Sequence, residues 1–275
     1  SQKFELRLTE YLDRHNHITD EGYELLNHAI TEVLKHAEEF QCEEILAFAT
    51  SAIREANNGN EIIEKLQMTH EIELQILSGD EEAQLTFLAA RRWLGWSSGR
   101  LLVLDIGGGS LEMAVGNDES ASSTLSLPIG AGRLTREFLT GDPYTGKSIK
   151  ALTQFSREQI SQSVSGELLL HQADRIVATS KTFRTLARLT DHWYSDSAKT
   201  LEHSALVAAI EKLKDLSNSQ RAALPGVSAS RAKQLLAGAI VAEAVMSHLK
   251  IDEVEICPWA LREGIVLKWL DWMEK

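Results

Sequence analysis

The chain has 275 residues, of which 43% are hydrophobic and 25% charged, and it carries a formal net charge of −12. This balance suits a folded globular protein of one large or two smaller domains. The acidic charge argues against a general nucleic-acid binder, which needs a basic surface, so any phosphate ligand here calls for a divalent cation and a local cluster of Arg, Lys and backbone amides.

Phe4-Glu5-Leu6-Arg7-Leu8 alternates apolar and polar residues and predicts a strand over 4–8. Leu25, Leu26, Ala29, Ile30, Val33, Leu34, Ala37 and Phe40 then recur at helical spacing, with Thr19 or Asp20 as cap. A buried strand is expected at Ile45–Ala49, a short helix at Glu61–Met68, a strand at Ile72–Leu77, and a helix from Ser78-Gly79-Asp80 to about Leu94. Leu101–Asp105 is an apolar strand ending in an acid, followed by glycines at 107–109, a partner strand at Leu111–Val115, and another strand at Leu125–Leu127. Beyond it, helices are predicted at 132–139, 148–164, 182–190, 201–214, 229–248 and 259–273, with strands at 175–178 and 253–256. Alternating strands and helices indicate an α/β fold.

No apolar run is long enough to span a membrane: Ala237–Val245 is broken by Gly238 and Glu243. Ser1–Glu5 has no signal-like apolar core, and a cytoplasmic protein is expected. Cys42 and Cys257 lack metal-ligand spacing and read as free thiols.

A short repeat organises the chain. Ala49-Thr50-Ser51 is followed by Arg54, and Ala178-Thr179-Ser180 by Arg184; each copy ends an apolar strand and opens a helix. Two related halves are therefore expected. In the second half Asp105 precedes Thr179 by 74 positions (179 − 105), whereas 74 positions before Thr50 falls ahead of residue 1. The first half is accordingly expected to lack its own acid-plus-glycine hairpin.

The strongest chemical signal is Asp105-Ile106-Gly107-Gly108-Gly109-Ser110. A strand ending in Asp presents a carboxylate at the sheet end, and the glycines let the chain turn tightly with amide hydrogens gathered and no side chains in the way. This suits a cluster of phosphate oxygens with Asp105 near a hydrated Mg²⁺; the bland alternative is a glycine hairpin without a ligand. Glu112 follows Ser110 by two positions and so points to the same strand face, within reach of the metal. Glu81 and Glu82 sit in a first helical turn, where acids are expected anyway; functionally, one of them is a general base. Arg54 and Lys181/Arg184 are candidates to clamp phosphates. The histidines read as surface groups, and Ser110 is disfavoured as a nucleophile because its surroundings are not Gly-x-Ser-x-Gly.

At these motifs the chain resembles the exopolyphosphatase/guanosine pentaphosphate phosphohydrolase (Ppx/GppA) family. The matching segments are Ala49–Asn57, Ser78–Ala83, Asp105–Glu112, Leu127–Thr135 and Ala260–Gly264. The resemblance implies an actin-like (sugar kinase/Hsp70/actin) fold with two RNase-H-like domains. The first, 1–80, would lack its N-terminal hairpin, with helix 262–275 offered as a packing partner for it; the second would span 81–261. It implies removal of the terminal phosphate of inorganic polyphosphate, or of the 5′ γ-phosphate of guanosine pentaphosphate, with Mg²⁺ or Mn²⁺. Glu82 is then the water-activating base, Asp105 and Glu112 lie at the metal, and Arg54, Gly107, Gly108, Gly109 and Ser110 bind phosphate; Lys181 and Thr182, at the second strand-to-helix junction, are expected phosphate ligands from their place in this sequence. A homodimer is a further expectation; nucleic-acid and membrane partners are not expected. Where the family has a glycine-rich strand-to-helix turn, this chain reads Ala178-Thr179-Ser180-Lys181-Thr182. A phosphate-chain or nucleotide-binding module without turnover is the reading from another class, and an ATP-dependent sugar or acetate kinase is a weaker one.

Overall fold

In the computed structural model, Phe4, Leu6, residues 8–194 and residues 197–273 are described. The chain divides into two units, Ser1–Ser78 and Gly79–Lys275.

In the first unit Thr19 caps α1 (Asp20–Glu39) by accepting a hydrogen bond from Gly22 N. Two short strands, β1 (Ala47–Ala49) and β2 (Leu74–Ile76), pair in parallel and are linked through α2 (Ser51–Arg54) and α3 (Gly59–His70). Tyr23, Leu26, Ala49, Ile53, Ile62 and Leu66 form its core. The strand expected at 4–8 falls partly outside the described residues, and Leu8–Tyr11 is a single 3₁₀ turn.

The second unit opens with α4 (Gly79–Leu94) and, among the described residues, carries six strands: β3 (Leu101–Ile106), β4 (Leu111–Gly116), β5 (Ser123–Leu127), β6 (Arg175–Ala178), β7 (Thr200–Glu202) and β8 (Glu253–Ile256). Their order is β5-β4-β3-β6-β8-β7, with β3, β4 and β5 antiparallel and β3, β6 and β8 parallel. The remaining helices are α5 (Ala131–Phe138), α6 (Gly146–Ser163), α7 (Gly166–Leu169), α8 (Ser180–Tyr194), α9 (His203–Leu213), α10 (Asn218–Ala222), α11 (Ala229–Ala232), α12 (Leu235–Leu249) and α13 (Leu261–Met273). Antiparallel strands continuing into parallel ones, with helices on both faces, make the RNase-H-like topology from which the actin-like fold is built.

The central strand is apolar on both faces because both are covered. Leu102, Leu104 and Ile106 face the large core that contains α12, whereas Leu101 and Val103 join Ala83, Phe87 and Ala90 of α4. Successive strand residues point to opposite faces. Asp105 therefore continues the α4 face beyond Leu101 and Val103, Glu112 shares that face with Ala114, and Thr179 shares it with Val177.

Both copies of the repeat fold alike. β1 ends at Ala49, whose carbonyl accepts from Leu77 N at 3.0 Å; β6 ends at Ala178, whose carbonyl accepts from Cys257 N at 2.9 Å. Three local expectations need correction. Residues 200–202 form an edge strand on β8 rather than the start of a helix. The helix expected over 229–248 is interrupted, giving α11 and α12. The C-terminal helix lies against α4, within the second unit, and does not join the first. Gly264 permits this approach, since a Cβ there would stand 1.9 Å from Leu85 O.

Candidate functional site

Asp105 and Glu112 face each other directly across the β3–β4 ladder, and Ser126 on β5 is paired with Glu112 in turn. The three side chains form a row on the face covered by α4. Glu82, in the first turn of α4, is buried and close enough for its charge to raise the pKa of Glu112. Thr179 donates its hydroxyl hydrogen to Asp105 Oδ2, and Ser126 Oγ donates to Glu112 Oε1 at 2.9 Å.

The electrostatics of the row are those of crowded acids. Burial lifts Asp105 to about 6, against the opposing pull of the Thr179 hydroxyl and the Arg184 charge. Burial, followed by the charge of Asp105, lifts Glu112 to about 8; the charge of Glu82 adds to this, while the hydroxyls of Ser110 and Ser126 oppose it. Among the described residues neither Asp105 nor Glu112 forms an ion pair with Lys or Arg. Two opposed carboxylates without a cation, Glu112 buried and Asp105 half-buried, are costly as anions.

The glycine turn lies at the end of this row. Gly107 N donates to Ser110 O at 2.9 Å. The carbonyls of Gly107, Gly108 and Gly109 accept from the amides of Ala131 (3.0 Å), Arg133 (2.9 Å) and Gly130 (3.0 Å) respectively, at the start of α5. In a trans peptide, carbonyl and amide point in opposite directions. With all three carbonyls committed to α5, the amides of Gly108, Gly109 and Ser110 turn away from it, and among the described residues they find no protein acceptor. None of the three glycines has a positive φ, so the turn does not call on a left-handed backbone at these positions. Gly108 is exposed, and a Cβ on it would meet nothing within 4 Å. Gly130 has the opposite role, since a Cβ there would lie 2.3 Å from both Gly109 C and Ser110 N.

These two glycines give contrasting expectations. Gly130→Ala overpacks the loop and should cost about 1–3 kcal/mol of stability. Gly108→Ala should leave the melting temperature within about 2 °C, since surface substitutions usually fall within ±0.5 kcal/mol, while lowering ligand binding or turnover by about tenfold or more. Thermal unfolding and activity measured on both variants check the pair.

The other expected phosphate ligands divide. Lys181 is half-buried in the first turn of α8. Thr182 gives its hydroxyl hydrogen to Ile106 O at 3.0 Å, so it grips the loop rather than pointing a free donor outward. Ser180 takes a left-handed φ of 72° at the turn where the sequence lacks glycine. Arg184 donates from Nε to Ser180 O at 3.0 Å. Arg54 belongs to the first unit, where its Nη1 donates to Leu77 O at 2.6 Å. Thr179, Ser126 and Gly130 were not singled out as site residues from sequence. The repeated Ala-Thr-Ser pointed to Thr179, and the Leu127–Thr135 motif contains Gly130.

No cluster of three or more His, Cys, Asp or Glu side chains able to hold a metal occurs among the described residues. The site nevertheless fits a hard divalent cation. Mg²⁺ is usually held by one or two carboxylates, completing its shell with water and phosphate oxygens, and Asp105 and Glu112 offer two oxygen donors without an internal cation. A separate cleft of about 460 Å³ among α6, α9 and α12 has balanced charges, with Lys150, Arg157 and Lys214 against Glu211, Asp215 and Glu243, and no glycine turn.

Comparison with known proteins places these features in context. The model of the Ppx/GppA phosphatase family matches residues 1–273. The protein called Exopolyphosphatase 1 of Mycobacterium tuberculosis is 46% identical over 275 residues, covering 98% of this chain and 80% of that protein. Exopolyphosphatase 1 of Mycobacterium leprae is 44% identical, covering 98% and 81%. Among solved structures, the Aquifex aeolicus Ppx/GppA family member superposes with a TM-score of 0.76 at 24% identity, covering 98% of this chain and 87% of that one, and shares the fold.

Proposed function

The chain belongs to the Ppx/GppA phosphatase family, and from that premise we propose that it hydrolyses the terminal phosphoanhydride bond of inorganic polyphosphate. The observation that carries this reading is the meeting of three amides turned away from α5 and unpaired among the described residues, those of Gly108, Gly109 and Ser110, with a row of acids in which the charges of Asp105 and Glu82 both bear on Glu112. The amides bind oxygens of the terminal phosphate without competing side chains. Lys181, in the first turn of α8, neutralises phosphates of the chain. Asp105 and Glu112 would hold a divalent cation, Mg²⁺ or Mn²⁺, which would offset the negative charge of the phosphate oxygens.

Glu82 is the base. Its carboxylate orients a water and accepts its proton as the water oxygen bonds to the terminal phosphorus. The bond from that phosphorus to the bridging oxygen breaks, and the bond's electrons leave with the shortened chain. Phosphoryl transfer asks mainly for positioning and charge neutralisation, which amides, cations and a single base supply.

The test is phosphate release from long-chain polyphosphate in direct competition with guanosine pentaphosphate. Preferential consumption of polyphosphate supports the proposal. Preferential consumption of the nucleotide replaces it with guanosine pentaphosphate 5′-phosphohydrolysis. Calorimetric binding of polyphosphate without phosphate release would instead make the chain a binding module.

A further inference from the structure

We propose that Gly238 and Thr182 are positioning residues: α12, through the bare backbone at Gly238, sets the two anchors that hold the phosphate turn in place. The proposal rests on the functional reading above and deepens it.

Two consecutive carbonyls lead into the turn, and each is held by a different element. Ile106 O accepts from the Thr182 hydroxyl of α8 at 3.0 Å, and Gly107 O accepts from Ala131 N of α5 at 3.0 Å. Both anchors meet at one point. A Cβ built on Gly238 would lie 2.5 Å from Thr182 Cγ2 and 3.3 Å from Ala131 Cβ. No other residue type leaves room for both. Carbon atoms in ordinary contact stand about 3.5–4.0 Å apart, so a methyl group at 238 must drive Thr182 back by about 1 Å or turn its side chain.

The backstop cannot yield easily. From Leu235 to Met246 every residue of α12 is buried, and interiors packed at crystal density transmit displacement rather than absorb it. Thr182 is itself buried, and the same helix start grips β3 twice more: Thr179 N donates to Leu104 O at 2.8 Å, and the Thr179 hydroxyl holds Asp105. A shift of α8 is therefore a shift of the carboxylate and of the amides together. Displacements of this size cost up to about 10²-fold in rate when they misplace reacting groups.

The shape of the contact supplies its own rescue. Thr182→Ser deletes Cγ2, the atom nearest Gly238, and keeps the hydroxyl that holds Ile106 O; Thr182→Val keeps the shape and loses the donor. Gly238→Ala should lower kcat by about 10–100-fold. Adding Thr182→Ser should restore it to within about threefold of the parent, and adding Thr182→Val should not. Amide hydrogen exchange of Gly107, Gly130, Ala131 and Arg133, whose hydrogens are bonded to carbonyls of the turn, requires no substrate; it should quicken in Gly238→Ala and return to the parent rate only with Thr182→Ser.

Parental exchange and parental kcat in Gly238→Ala would overturn the proposal, as would equal rescue by Ser and Val. Should the parent release no phosphate from polyphosphate, the functional reading fails while the exchange pattern still decides the role of Gly238.

Discussion

Glu82→Gln is expected to lower phosphate release from long-chain polyphosphate by at least about 10²-fold, the lower end of what a lost general base costs. The amide is nearly isosteric and keeps one oxygen acceptor, so a water can still be placed, but it cannot take a proton. Binding should survive, because the amides of Gly108, Gly109 and Ser110 are untouched. Removing a carboxylate that raises the pKa of Glu112 also relieves repulsion, so the variant should unfold at or above the parental temperature. Measured together, a rate lost without stability lost points to chemistry rather than folding. Near-parental turnover in this variant would remove Glu82 from the mechanism.

The second large effect concerns Asp105 and Glu112. Asp105→Asn should reduce turnover by about 10² or more, comparable to loss of a single preorganised electrostatic group at a reacting centre, and should blunt the response to Mg²⁺ or Mn²⁺. The pH dependence of stability gives a reading that needs no substrate. In the metal-free protein Glu112 titrates near 8 and Asp105 near 6, both above the ordinary values of 4.5 and 3.8. Between the ordinary and raised values the folded chain holds protons that the unfolded chain releases, so stability falls as pH rises through that window. The contribution is full below about 4 and lost by about 8.

Metal-free protein should therefore melt lower at pH 8 than at pH 5.5 from this source, by about 2–4 °C for each kcal/mol in a domain of this size. Divalent cation should raise the melting temperature more at pH 8, because binding displaces those protons. Glu112→Gln should flatten the slope between pH 6 and 8 and reduce the cation response. An unchanged slope in that variant, measured by thermal unfolding across the series, would dissociate Glu112 from the titration.

Several parts of this arrangement were legible in residues 101–112 alone. An apolar run ending in Asp105, three glycines and a second apolar run encode a hairpin by short-range rules, and once it closes, the pairing of Asp105 with Glu112 follows from the two-residue strand period. The repeat Ala-Thr-Ser likewise marked both strand-to-helix junctions, and the helix over 79–94 was readable from its first-turn acids and periodicity.

Elsewhere tertiary pairing overrode local preference. Leu201 and Glu202 read as the start of a helix in isolation and became part of a strand, Thr200–Glu202, because β8 offered an unpaired edge. The start of the helix expected at 229 broke away, leaving α12 to begin at Leu235.

What the sequence by itself determined is the chemical inventory: an acid beside a glycine turn, a carboxylate pair on one strand face, and an acidic helix start. Only the tertiary structure decided how these are aimed. That the turn's amides point away from α5 depends on that helix start occupying its three carbonyls. That Asp105 is held depends on Thr179, 74 residues away, and that Thr182 serves the loop depends on a glycine in α12. Periodicity, caps and glycine act over a few neighbouring residues, whereas the direction of a buried amide or hydroxyl is fixed by whichever distant group satisfies it.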